Sequence, residues 1–380
     1  MTVKHTLWCA VWELTLRCNL HCIHCGSTAG RSRDSELTPD EALALCDDLA
    51  ATGCRGVALM GGEPLLRPDW FEIAARVRKH GMELSLITNG IAGTAEIADK
   101  LVSLSPRAVA VSLDAGHAEL HDRIRGMKGA YDRSWSFINL CLERGLPVSV
   151  ITTVHKMNIG ELEKLELLLA DKKIAWQIQT AGGEGKRFER ELLLDEDEFY
   201  SVGLFIANLR EKYTPDRLPV IGAHDLGYHS HIIPNLMLAQ WEGCQAGIRV
   251  LGICSDGGIK GCLAMNDDYV EANVRQRSVK DLWNDPNAFA YNRKFDISRL
   301  GSNCAGCEFG KTCKGGCNEM SLMATGVKHN DPYCFFRIEK KFMQAELHNP
   351  VRRAVLKLRQ KMNRKVRNEN PLFRLFGGKR

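Results

Sequence analysis

Fifteen cysteines in 380 residues, eleven of them gathered in two groups, constrain this chain more than any other feature. Three lie within Cys18–Cys25 in a C-x3-C-x2-C spacing, and eight more lie between Cys244 and Cys334. An odd count in a long chain without a secretion signal argues against a disulfide framework and for metal or catalytic use. Cys9, Cys46, Cys54 and Cys141 stand apart in strand-like or helix-like segments and read as small buried hydrophobes.

The first residues lack the basic-then-apolar layout of a signal peptide, and no apolar run approaches the ~20 residues that span a bilayer. The expected compartment is therefore the cytoplasm, with no transmembrane segment. The net charge of +5 is a poor average. From Arg352 to Arg380 the chain has eleven Lys or Arg and one acid, Glu369, so this tail carries +10 and the remainder about −5. Such a tail can bind an acidic partner, nucleic acid or an anionic surface, or be a solvated terminal helix.

From Leu7 to Thr180 short apolar runs alternate with amphipathic stretches. The strand-like runs are Leu7–Thr15, Gly56–Met60, Leu84–Thr88, Ala108–Asp114, Pro147–Val154 and Ile174–Thr180. Helix-like segments follow at Pro39–Ala51, Trp70–His80, Ile97–Leu104, Ser134–Arg144 and Ile159–Ala170. Runs rich in β-branched residues, each followed by a helix, predict an α/β fold of parallel βα units. Pattern alone leaves a barrel-like and a doubly wound sheet equally open. In both, function gathers after the carboxyl ends of the strands. Residues 186–240 read as a mainly helical connector, 241–345 as a small cysteine-rich domain, and 346–380 as a basic helix.

Three thiolates on one loop can wrap a 4Fe–4S cluster while leaving its fourth iron without a protein ligand. An open metal position signals chemistry rather than passive structure. Taken alone, C-x3-C-x2-C also fits structural zinc or a ferredoxin-like site. However, Gly61-Gly62-Glu63-Pro64 ends the second strand, Thr88-Asn89-Gly90 the third, and Ser112 with Asp114 the fourth. With Cys18, Cys22, His24 and Cys25 in a C-x3-C-x-aromatic-C place, this set resembles the radical S-adenosylmethionine (SAM) superfamily. The resemblance implies a partial (β/α)6 TIM-like barrel over residues 5–185, with Cys18, Cys22 and Cys25 holding the catalytic cluster. It also implies SAM contacts from His24, Gly61, Gly62, Glu63, Pro64, Asn89, Ser112, Asp114 and Arg125, and a reductant such as flavodoxin or ferredoxin.

Cys244 is followed after twelve residues by Gly257, and that after four by Cys262; then come Cys304-x2-Cys307-x5-Cys313-x3-Cys317 and, after sixteen more, Cys334. C-x2-C pairs suit zinc as well. Behind the first cluster, the pattern resembles the SPASM extension of radical SAM enzymes. That resemblance implies two auxiliary 4Fe–4S clusters, three in all, with Cys244, Cys262 and Cys317 on the inner one. Cys304, Cys307, Cys313 and Cys334 would hold the outer one. Seven cysteines leave one iron short, and Cys254 is the candidate eighth ligand.

The extension implies an oxidoreductase that modifies a peptide, as in the maturation or side-chain cross-linking of ribosomal peptides. Tetrapyrrole chemistry is the small-molecule alternative, and a non-catalytic iron–sulfur or zinc protein is the non-enzymatic one. Sulfatase maturases carry an acid directly after the third inner cysteine; here Leu263 follows Cys262 and counts against that activity. The first strand begins almost at the amino terminus, so a peptide maturase of this build would need a separate leader-recognition protein or bind substrate directly. Candidates for a general base are Glu184, His224, Asp225 and His229.

Overall fold

In the computed structural model the described residues are 5–183, 185–224, 226–234, 236–237 and 241–346. Glu184, Asp225 and the basic tail from residue 347 lie outside them. Six parallel strands follow the expected order: β1 (Cys9–Glu13), β2 (Gly56–Met60), β3 (Glu83–Thr88), β4 (Ala108–Ser112), β5 (Val148–Val154) and β6 (Ala175–Thr180). The helices between them are α1 (Pro39–Thr52), α2 (Trp70–Lys79), α3 (Ala95–Leu104), α4 (Ala118–Arg125), α5 (Ala130–Glu143) and α6 (Leu162–Leu169). Helix α1 begins and ends where its sequence says it should. Thr38 accepts from the Glu41 N–H while Glu41 returns to the Thr38 N–H, Pro39 opens the first turn, and Gly53 closes the helix at φ 81°.

Side-chain alternation explains the open barrel. Trp12, Leu59, Leu84, Leu86, Val109, Val111, Val148, Val150, Trp176 and Ile178 are buried against the helices. The intervening Val11, Ser85, Ile87, Ser112, Gln177 and Gln179 are only half-buried and line the concave face. The doubly wound alternative is thereby set aside.

Two elements go beyond the sequence reading. The connector contains α7 (Glu196–Lys212) and then β7 (Val220–Gly222), a seventh strand that pairs in parallel with β6. Three residues between Pro219 and Ala223 give too short a run for periodicity to reveal. The cysteine-rich segment also joins the same sheet. Strand β8 (Val250–Ile253) lies parallel to β1 and turns into β9 (Gly258–Lys260) and β10 (Ala272–Asn273), making one ten-stranded sheet, β10-β9-β8-β1-β2-β3-β4-β5-β6-β7. Among the described residues, no helix is long and apolar enough to cross a membrane.

Candidate active site

The C-x3-C-x2-C loop is closed at its base and clamped on its flanks. Arg17 and Gly30 bridge its two ends, with Cys18 N–H donating to Gly30 O at 3.2 Å and Gly30 N–H to Leu16 O at 3.0 Å. One oxygen of Glu36 receives the Thr15 hydroxyl and the Leu16 and Arg33 amides at 2.8–3.2 Å. The loop then rests on the end of α4, where His21 N–H donates to Arg125 O and Ile23 N–H to Ile124 O. From the loop after β6, Arg187 donates to Cys22 O and Ala29 O, each at 3.1 Å. Gly185, at φ 107°, passes so close that a Cβ there would lie 2.3 Å from Cys25 O.

This scaffold gathers the thiols of Cys18, Cys22 and Cys25 closely enough that charge on Cys22 or Cys25 raises the Cys18 thiol, and charge on Cys25 the Cys22 thiol. Burial pushes the Cys18 thiol up to about 11 and raises Cys22 as well. Amides of Leu20 and Ala29 point at the sulfurs of Cys18 and Cys25 at 3.5 and 3.3 Å. All fifteen cysteines are free. Neighbouring thiols, buried at Cys22 and half-buried at Cys18 and Cys25 and joined by no disulfide, fit an iron–sulfur cluster, whose cations hold thiolates that the protein alone penalises.

The GGEP segment acts on that loop structurally. A Cβ on Gly61 would fall 2.3 Å from Thr15 O, and one on Gly62 would fall 2.3 Å from Arg17 O. Only glycine lets β2 run out against the base of the cluster loop. Glu63 is fully buried and turns away to the end of β3, accepting from the Thr88 hydroxyl and the Asn89 and Leu65 amides at 2.7–3.1 Å. Burial outweighs those three donors and pushes its carboxyl up to about 7. Glu63 thus meets the cluster loop through Asn89, whose amide nitrogen reaches Asn19 at 2.8 Å and Cys18 Sγ at 3.8 Å. Pro64 opens the short turn that follows, and Ser112 stands at the end of β4 on the open face.

Beyond β4 lies a buried charged cluster. Arg125 Nε is 2.7 Å from Asp114 Oδ2, and Arg125 Nη1 is 3.8 Å from Cys22 Sγ. Thr153 N–H donates to Asp114 Oδ1, and His24 Nε2 lies 3.6 Å from Oδ2. Burial opposes the charge on Asp114, but Arg125, His24 and His121 outweigh it and hold the carboxyl near about 2. Arg125 therefore serves Asp114 and the Cys22 thiol, which limits what it can offer a SAM carboxylate. His24 packs on His155, which packs in turn on Phe188. Nδ1 of His24 and Nε2 of His121 and His155 are buried without a hydrogen-bond partner. Unsatisfied polar nitrogens beside the cluster loop are what a polar cofactor would satisfy.

His121 yields a direct test. Burial, then Arg125, lowers its pKa from 6.5 to about 4. Below pH 6.5 the unfolded chain takes up a proton that this ring refuses, so His121 subtracts stability as pH falls towards 4. Glu63, raised to about 7, acts in the opposite sense as pH rises from 4.5. In a histidine 15N NMR titration of the apoprotein, the His121 midpoint is expected at about 4; a midpoint at 6.5 would contradict the burial argument.

The second group of cysteines forms two sets. Cys244, Cys262 and Cys317 face one another and share Glu319 as a neighbour. Cys304, Cys313 and Cys334 gather around Asp331, with Cys307 beside Cys304 and Cys313. Cys254 does not join the inner set: its thiol stands among Lys260, Glu13, Arg33 and Asp267, with Asp267 Oδ1 at 3.9 Å. The β8–β9 turn carries it there, where Cys254 N–H bonds Gly258 O. Of the other candidates, His224 lies beside Glu319, and His229 stacks on Phe309 at 4.0 Å. Cys46, Cys54 and Cys141 are buried in the core and Cys9 half-buried, as small hydrophobes would be. Arg187, His155 and Glu319 were not anticipated, although the first two follow strand ends and the third lies two residues past Cys317.

An open parallel barrel with a three-thiol loop at its mouth and two further thiol sets defines a radical SAM protein. Residues 12–169 match the Radical SAM superfamily, and residues 244–308 match the SPASM iron–sulfur cluster-binding domain. An AdoMet-dependent heme synthase of Methanosarcina barkeri is 31% identical over 87% of this chain and 97% of its own length. The chain belongs to the radical SAM superfamily. An Fe-coproporphyrin III synthase of the same organism is also 31% identical, over 87% of this chain and 88% of that protein. The mycofactocin maturase MftC of Mycobacterium tuberculosis is 26% identical over 91% and 87%. Streptococcus suis SuiB bound to S-adenosylmethionine shares the fold, with TM-score 0.71 at 18% identity over 87% of this chain and 76% of that one.

Proposed function

We propose that this chain reductively cleaves SAM at a cluster held by Cys18, Cys22 and Cys25, and oxidises side chains of a tetrapyrrole-class substrate. The observation that carries the SAM half is the clamped loop bringing three thiols together at the mouth of the open barrel. When bound, cluster and SAM supply a 5′-deoxyadenosyl radical that takes a hydrogen atom from substrate. Arg125 keeps positive charge against Cys22, and Arg187 fixes the loop to the β6 end. Ser112, Gln177 and Gln179 offer polar atoms on the concave face where substrate and SAM would lie. Cys244, Cys262 and Cys317 would hold an inner auxiliary cluster, and Cys304, Cys307, Cys313 and Cys334 an outer one. A low-potential reductant such as flavodoxin or ferredoxin would feed the site.

The tetrapyrrole reading is supported by the two relatives at 31% identity, which this chain spans nearly end to end. The peptide reading keeps support from the maturase at 26%, and would call for a separate leader-recognition protein. The two separate in one assay. Reconstituted protein, dithionite and SAM are incubated anaerobically with Fe-coproporphyrin III or with a precursor peptide encoded beside the gene. Mass loss from the tetrapyrrole, with 5′-deoxyadenosine above the substrate-free level, is the expected result. Modification of the peptide alone would overturn the tetrapyrrole assignment while leaving the SAM chemistry intact.

A further inference from the structure

Three thiols cannot complete a four-iron cluster, and Cys254 does not stand with the inner set. The structure places a different donor there. Glu319 is 6% exposed, and its Oε2 lies 3.8 Å from Cys317 Sγ. Its charge bears on all three thiols, Cys244, Cys262 and Cys317. His224 Nδ1 lies 3.5 Å from the same carboxylate oxygen. The donor atoms of His224, Cys317 and Glu319 all fall within 4.8 Å of one another. No other group of this kind occurs among the described residues.

Local structure explains the placement. Cys317 caps the helix Asn318–Thr325, so Glu319 leaves the first turn on the side of the thiols. From the barrel side Gly182 closes over it, a Cβ there falling 3.6 Å from Glu319 Oε1. A buried carboxylate facing three thiols is costly unless a cation joins them. An iron would be that cation.

We infer that Glu319 is the fourth protein ligand of the inner auxiliary cluster, with His224 orienting its carboxylate. The inference rests on the two-cluster reading of the second cysteine group. His224 is 32% exposed against 7% for the Glu319 side chain, and it approaches the thiol set beside Cys317 and Glu319. It is therefore the positioning residue, as outer partners of metal ligands commonly are. A carboxylate ligand would close the iron to substrate thiols or amines and leave the inner cluster as an electron relay.

The test uses full-length protein with Cys18, Cys22 and Cys25 changed to Ala, so that only auxiliary clusters contribute signal. After anaerobic reconstitution with iron and sulfide, two clusters correspond to about eight irons per chain. In protein labelled with 13C-glutamate and reduced, ENDOR is expected to find a 13C coupling on one cluster that disappears in Glu319→Gln. Because the key spectrum comes from unaltered Glu319, misfolding of the Gln variant cannot imitate it. Glu319→Cys is expected to restore a four-ligand cluster without the coupling. Eight irons with no 13C coupling, or a 15N-histidine ligand coupling in its place, would overturn the inference alone. About four irons would instead overturn the two-cluster reading, and the inference with it.

Discussion

Replacing Cys22 by Ala is expected to eliminate SAM cleavage, with 5′-deoxyadenosine falling by roughly 100-fold or more, because losing a direct ligand must exceed the 10–100-fold cost of losing an outer one. Iron content should fall by roughly four per chain while the second cysteine group keeps its own. The thiol is buried, sits beside Arg125, and is one of the three sulfurs the loop brings together. Removing it leaves two thiols, which cannot hold a cubane, while Arg125 keeps its ion pair with Asp114. The fold should survive, since the loop is held by main-chain bonds from His21, Ile23 and Gly30 and by Arg187 on Cys22 O and Ala29 O. Far-UV circular dichroism therefore should not change. Full iron content and wild-type 5′-deoxyadenosine in Cys22→Ala would remove Cys22 from the site.

The second large effect is on stability. Asp114→Asn keeps the shape of the side chain and its acceptor for Thr153 N–H, but strips the charge from a fully buried partner of Arg125. Breaking one half of a buried pair leaves an unpaired charge and costs about 3–5 kcal/mol. The damage should reach the cluster loop, because His21 and Ile23 bond the backbone of α4 at Arg125 and Ile124. Urea denaturation of the apoprotein measures the loss. The double variant Asp114→Asn/Arg125→Met should recover most of it, since no buried charge remains. If the double variant is as unstable as Asp114→Asn, the unpaired guanidinium is not the cause.

These two sites also mark how far the sequence could be read. The strands were legible because residues such as Val109, Val111, Val148 and Val150 are β-branched and buried, so each run stands out from the helices around it. Cys18, Cys22 and Cys25 were legible because all three thiols come from one short loop. Helix α4 was not, because His-Ala-Glu-Leu-His-Asp-Arg-Ile-Arg shows only Leu120 and Ile124 as an apolar face. Arg125 accordingly entered only through the resemblance, as a SAM contact, and its burial against Asp114 could not be read. Glu63 was named from motif order, which does not tell that its carboxylate takes the Thr88, Asn89 and Leu65 donors. Cys254 read as a ligand because it lies between Cys244 and Cys262 in the chain. The β8–β9 turn carries it to Glu13 and Arg33 instead, a placement only pairing register reveals. Glu319 was invisible for the opposite reason: a lone acid near a cysteine has no spacing rule to betray it.

The most direct measurement is 5′-deoxyadenosine formed by the anaerobically reconstituted full-length chain with SAM and dithionite. SAM cleavage at the Cys18–Cys25 loop predicts its formation by the wild-type protein, and none above background from Cys18→Ala, Cys22→Ala or Cys25→Ala. A cluster-loaded wild-type protein that leaves SAM intact would contradict it.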